Sequence, residues 1–255
     1  MKVIAIAINT SREAIRNKVL YTIMLFAALM IGIAAAFGSV SIGDSMKFVK
    51  DFSFMAVSLF GVVIAVALGV NMLGKELGRR TIQNILSKPV ARWQFIVGKF
   101  LGLVATLALV VALMCAVLIA IVGAIEGRVD VGLVQVAVTV VLELTVVVAA
   151  ALLFSAIVVT PTLAGLFTAG VFVAGRSAGH LAFFTGDDHA PLLRFAARGL
   201  YWALPHLDRL NIADRVAYGD PVSAAYLGAA AAYALAYAGV LLVLTVVLFD
   251  RREFV

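Results

Sequence analysis

The residue with most to explain is Glu143, an acid inside a long apolar run. Counted from the start of that run near residue 131, it lies about 12 residues in, roughly 18 Å along a helix rising 1.5 Å per residue. Insertion scales put the cost of an acidic side chain at the middle of a membrane helix at roughly 2.5–3.5 kcal/mol. Glu143 is therefore expected to face protein or water and not lipid. Gln135 and Thr139 precede it by eight and four residues and share its helical face. Such a face could line a polar route through the membrane or a seam between two copies; equally, it could be a packing contact satisfied by neighbouring helices. A carboxyl in this place could also carry protons in an ion-coupled carrier.

Other patterns carry less chemistry. Gly69 to Glu76 comes close to the phosphate-binding loop GxxxxGK[ST], but Glu76 stands where the magnesium-ligating hydroxyl belongs and would repel phosphate. His180, His189 and His206 lie in one polar stretch, with Asp187 and Asp188 beside His189. Imidazole and carboxylate are metal-ligand types, yet spacings of nine and seventeen match no metal motif, so these are read as solvated loop residues. The lone Cys115 excludes an internal disulfide and a thiolate cluster. No HExxH or GxSxG occurs, and no catalytic, metal or cofactor-binding residue is assigned. Tyr226, Tyr233 and Tyr237 share one helical face amid alanines, and Gly98 and Gly102 form a GxxxG. Both read as packing features, since small residues let helices approach closely in lipid.

The elements that must position these residues are membrane helices. Apolar residues make up 64% of the chain and charged ones 13%, about half the charged fraction of a soluble domain. The charges are missing from runs of spanning length, roughly 20 residues each. Six spans are expected, at about 19–38, 52–73, 95–125, 131–158, 162–180 and 224–249. The break between the fourth and fifth is Thr160-Pro161-Thr162, because proline disfavours helix in the residue before it. A polar loop with Asp44, Lys47, Lys50 and Asp51 separates the first two spans. Residues 2–18 place Asn9, Arg12, Glu13 and Arg16 on one helical face and Ile4, Ala7, Ile8 and Ile15 on another. That pattern suits an interfacial helix. The apolar run Val19 to Phe37, with Ala34-Ala35-Ala36 after it begins to taper, resembles a secretory signal. It starts too late and runs too long for one and is read as an uncleaved span.

Segments 1–18, 74–99 and 250–255 hold 12 of the 20 Lys and Arg residues and four acids. The opposite side carries eight basic residues and nine acids, with Glu143 set aside as intramembrane. The side rich in Lys and Arg is the cytoplasmic one, so both termini are placed there and 181–223 outside. The positive net charge serves this orientation, and no nucleic-acid partner is expected.

The cytoplasmic stretch Glu76-Leu77-Gly78-Arg79-Arg80-Thr81-Ile82-Gln83-Asn84-Ile85-Leu86-Ser87-Lys88-Pro89-Val90, continuing through Arg92 and Trp93 to Gly98-Lys99-Phe100, resembles the signature of type-2 ABC exporter (ABC-2) permeases. Within that family the chain looks similar to the branch labelled as permeases for multicopper-enzyme maturation. Ser11 to Lys18 is similar to the family's elbow helix, and the resemblance extends over nearly the whole chain. Independently of it, Ile82, Ile85 and Leu86 form one apolar stripe on a helix too short to span, closed by Pro89. With Arg80, Lys88 and Arg92 beside it, such a stripe suits a groove on a soluble partner; resting on lipid is the alternative.

The resemblance implies an all-α integral membrane permease of the cytoplasmic (inner) membrane, acting as an exporter. Its ATPase would be a separate subunit present in two copies, carrying the ATP and Mg, and docked through Glu76, Arg80, Ile82, Ile85, Leu86 and Arg92. A second permease chain, forming a homodimer, and the lipid membrane are its other implied partners, and an extracytoplasmic accessory protein is admitted. Between spans five and six the family carries short re-entrant helices that close the exit. Here Pro191 to Leu204 is amphipathic, and Leu193, Phe195, Tyr201 and Trp202 are the corresponding gate residues. A proton-coupled secondary transporter using Glu143 is the alternative. It lacks the paired broken spans of an inverted repeat.

Overall fold

The computed structural model describes residues 2–38, 45–78, 91–127, 131–158, 160–185, 191–220 and 222–251. Among them every regular element is helical. We number the α-helices α1 (Lys2–Ile15), α2 (Lys18–Gly38), α3 (Ser45–Gly78), α4 (Arg92–Glu126), α5 (Val131–Ile157), α6 (Pro161–Arg176), α7 (Ala178–Leu181), α8 (Pro191–Ala203), α9 (Ala213–Ala217) and α10 (Ala224–Asp250). Single 3₁₀ turns occupy Ala182–Thr185 and Leu207–Leu210.

Local chemistry sets the helix ends. α4 stops at Gly127, which takes the left-handed conformation (φ 70°) and donates its N–H to the Gly123 carbonyl, a position that costs glycine no Cβ clash. Pro161 opens α6 at a position where the missing N–H is harmless. The Ser223 hydroxyl accepts from the Tyr226 N–H at 3.3 Å and caps α10. Between α1 and α2 the chain breaks for Arg16 and Asn17, and the Asn17 side-chain oxygen accepts from the Val19 N–H at 3.1 Å.

Five helices, α2, α3, α4, α5 and α10, are long and apolar enough to cross a membrane. α6 has 16 residues, about 24 Å at 1.5 Å per residue, shorter than a hydrocarbon core of about 30 Å. It ends at Arg176, and the chain then turns through Ser177 into α7. α3 begins at Ser45, so Lys47, Lys50 and Asp51 stand on its first turns and not in a loop. Lys47 lies 5.4 Å from the Tyr218 ring just beyond α9, a tertiary contact that hydropathy does not register.

α5 is the central helix. Of its apolar window 72% is buried, against 22% for α2 and α10, and residues 143–152 are buried without a break. It packs against α3, α4, α6 and α10. A helix apolar all round belongs in the interior of a bundle. Close approach to α3 is permitted at Gly69, where an added Cβ would lie 2.7 Å from the Ala151 Cβ.

α1 lies across the start of α4. A Cβ on Gly98 would come within 2.8 Å of the Ile6 Cβ, and one on Gly102 within 2.5 Å of the Ala7 carbonyl oxygen. The GxxxG is therefore where these two helices touch. Thr10 and Ala14 are buried there, Ser11 and Thr106 share a hydroxyl hydrogen bond of 2.9 Å, and Ile4 and Ile8 remain exposed.

Candidate functional site

Three helices converge on Glu143. Its Oε1 accepts from Arg176 Nη1 at 2.6 Å and its Oε2 from the Ser58 hydroxyl at 3.3 Å. Arg176 Nη1 also reaches Ser58 Oγ at 3.2 Å. Ser58 lies in the middle of α3, Glu143 in the middle of α5, and Arg176 is the last residue of α6. Glu143 is only 1% exposed, whereas the Arg176 side chain is 29% exposed. The carboxylate has exchanged its water for a cation and a hydroxyl, as a charge in hydrocarbon must. The pair thus ties the last residue of the short helix α6 to the middle of α5.

The other residues of the Glu143 face have different partners. Gln135 binds both backbone groups of Val222, donating to its carbonyl and accepting from its N–H, each at 3.0 Å. This fastens the start of α5 to the segment ahead of α10. Thr139 donates to the Val136 carbonyl of its own helix at 3.1 Å. The structure thus places the three on one helix without joining them into one hydrogen-bonded strip. Arg176 is the partner that helical-wheel reasoning on α5 could not supply. A signal for it exists, since Arg176 is the only Lys or Arg between Arg128 and Arg194, and an intramembrane acid needs a cation.

The segment between α7 and α10 is fastened to α10 by the tyrosine face. Tyr226 donates to the Arg209 carbonyl at 2.5 Å, Tyr233 accepts from the His206 N–H at 2.8 Å, and Tyr237 donates to the Ala203 carbonyl at 2.9 Å. The His206 ring lies 4.4 Å from that of Tyr201 and 6.5 Å from that of Tyr233. Burial and, second, the nearby Arg209 guanidinium push the His206 imidazole below its ordinary range, with Asp208 opposing. Of the expected gate residues, Phe195 and Trp202 are exposed on α8. Tyr201 is half-buried and its hydroxyl accepts from Arg209 Nη2 at 3.4 Å. Leu193 also lies on α8.

On the other side of the bundle, Glu76 is in the last turns of α3. Arg80, Ile82, Ile85 and Leu86 lie outside the described residues. Arg92 opens α4 and donates through Nη1 to the Phe249 and Asp250 carbonyls at 3.1 and 3.0 Å, with Asp250 Oδ1 3.9 Å from its Nε. The cation thereby closes the carbonyl end of α10, where a positive charge is favoured. Gly69 to Glu76 is continuous helix within α3, a conformation in which backbone N–H groups cannot cradle a phosphate. His180 and His206 form no metal cluster among the described residues, and His189 falls outside them.

A comparison with curated proteins finds no match. The family model described as ABC-2 family transporter protein matches residues 4–254. That match and the five long apolar helices make the chain a multi-pass membrane protein. The chain belongs to the ABC-2 transporter family, whose members are membrane permease components of ABC transporters.

Proposed function

We propose that the chain is the permease of an ATP-driven exporter that docks a separate ATPase through residues 76–92 and moves cargo outward. In this reading α6 is a sixth, short crossing, both termini are cytoplasmic, and the membrane is the inner one. Two permease chains form a homodimer served by two ATPase copies, and residues 181–223 act as the external gate. The observation that carries the reading is the run of contacts along α10. Its inner end is held by Arg92, the last residue of the docking segment. Its outer half is held by three tyrosines to the backbone of the external segment. One helix of 27 residues, about 40 Å long, thus touches both the place where force would enter and the place where it would be used. Glu143 is a structural tie among three helices in this scheme, which leaves proton carriage without a free carboxyl.

The test is a mild-detergent pull-down of the tagged chain, assayed for ATP hydrolysis and analysed by mass spectrometry. A P-loop subunit is expected to co-purify, and Ile82→Asp with Ile85→Asp to lose it. Purification of the chain alone from its native membrane overturns the proposal.

A further inference from the structure

A cavity of about 400 Å³ lies between the α1–α2 elbow and the end of α3, lined by Glu13, Arg16, Asn17, Lys18, Leu68, Asn71 and Met72. α2 and α3 are joined by a short connection and run in opposite directions, so residues 68–72 of α3 stand level with the start of α2. The cavity therefore sits at a membrane surface, whichever face that is. Its floor is apolar, since Leu68 and Met72 are buried. Its rim carries Glu13, Arg16 and Lys18, all exposed. Among the described residues no ion pair joins the acid to either base.

The two amides are half used. Asn17 accepts from the Val19 N–H, which leaves its N–H₂ to donate into the cavity rim. Asn71 donates to the Ala67 carbonyl at 2.7 Å, which leaves its oxygen to accept. The rim thus offers donors and two positive charges on the elbow, together with acceptors and one negative charge. An apolar floor beneath a zwitterionic rim is the complement of a lipid headgroup that bears both a phosphate and a primary amine.

We propose that this cavity binds the headgroup of an aminophospholipid of the phosphatidylethanolamine type from the adjoining leaflet. Arg16, Lys18 and the Asn17 amide hold the phosphate, Glu13 and the Asn71 oxygen receive the ammonium, and the acyl–glycerol region rests on Leu68 and Met72. Charge-assisted hydrogen bonds to phosphate are the strong kind, and a methylated choline ammonium offers Glu13 no N–H to donate. The site is independent of the export reading, because it needs no ATPase and no orientation.

The test is native mass spectrometry of the purified chain, in complex with any ATPase that accompanies it. The probes are phosphatidylethanolamine, phosphatidylglycerol and phosphatidylcholine with equal acyl chains. Phosphatidylethanolamine is expected to be retained over phosphatidylcholine by roughly tenfold, the worth of one charge-assisted hydrogen bond. Arg16→Gln with Lys18→Gln abolishes retention of both phosphatidylethanolamine and phosphatidylglycerol. Glu13→Gln keeps phosphatidylglycerol and removes the preference for phosphatidylethanolamine. Leu68→Trp, which fills the floor and leaves the charges alone, expels all three lipids, and an unchanged thermal transition shows that each variant is folded. Equal retention of phosphatidylethanolamine and phosphatidylcholine by the unaltered chain overturns the proposal. So does undiminished retention by the Arg16 and Lys18 double variant. Binding of inorganic phosphate with no lipid selectivity also overturns it, by assigning the rim to a soluble anion.

Discussion

Arg176→Met and Glu143→Gln should destabilise the protein unequally, by an amount that follows from their different exposure. Removing the guanidinium leaves a carboxylate that is 1% exposed with only the Ser58 hydroxyl, at 3.3 Å, as a donor. Breaking a buried ion pair in this sense costs about 3–5 kcal/mol, because the abandoned charge has no water. Removing the acid leaves Arg176, whose side chain is already 29% exposed, with the Ser58 hydroxyl still within 3.2 Å and room to turn away from the bundle core. The cost there is about 1–2 kcal/mol, that of hydrogen bonds lost with hydration partly regained. The double variant removes both charges, and replacing a whole buried pair is often nearly neutral. The double-mutant cycle should therefore show a coupling of about 4–7 kcal/mol, the sum of the two single losses, a non-additivity expected only of residues in contact. Denaturant unfolding in a fixed detergent, followed by tryptophan fluorescence, supplies the four free energies. Additive single effects, or an Arg176→Met loss no larger than that of Glu143→Gln, would refute the reasoning that a dry carboxylate is held by one cation.

Three other outcomes are expected. Gly102→Val places side-chain atoms where a Cβ alone would be 2.5 Å from the Ala7 carbonyl. It should cost about 1–3 kcal/mol as overpacking and prevent a disulfide between cysteines put at Ser11 and Thr106, which the unaltered glycine allows. Changing Tyr226, Tyr233 and Tyr237 together to phenylalanine removes three hydroxyl hydrogen bonds worth about 0.5–1.5 kcal/mol each. Amide exchange should rise in residues 203–210 and stay unchanged in α5; a uniform rise would mean global loosening instead. His206 has its imidazole pushed below the ordinary value of 6.5 by burial and by Arg209. The folded form therefore binds fewer protons than the unfolded one, and the attachment of 203–210 weakens as pH falls through that value. Protection of this segment, taken as the observed exchange relative to the intrinsic base-catalysed rate at each pH, should fall from about pH 7.5 to 5.5, and His206→Gln should flatten the dependence. The same fall in the variant would assign it to another group.

Hydropathy made the bundle legible because spanning helices have a length and a composition that a sequence cannot conceal. α5 reads as a span from its residues alone, and so does α10. What hydropathy could not show is which helix faces which. Gly98 and Gly102 announced a close contact, but only the structure identifies α1 as the other party. The tyrosine face of α10 was visible as a periodicity, while its partners are backbone atoms 17 to 34 residues away. Those backbone atoms have no signature in the sequence. Glu143 was visible as an acid in need of relief, yet its partner Arg176 lies 33 residues along the chain on another helix, a pairing that only the fold completes. The contact of Lys47 at the start of α3 was hidden for a similar reason: its aromatic neighbour, Tyr218, is far along the chain.

The attachment of residues 203–210 to α10 has one more property. Tyr226, Tyr233 and Tyr237 engage the Arg209 carbonyl, the His206 N–H and the Ala203 carbonyl, groups that belong to the backbone. Every amino acid supplies the two carbonyls, and every one except proline supplies the N–H. The three bonds therefore set no requirement on the side chains at 203 and 209, while proline at 206 would strike one of them directly, and Leu207 and Leu210 are held to their type by burial. Three fixed hydroxyls on one helix thus grip the chain by its backbone, a mount indifferent to the lettering at the points it holds.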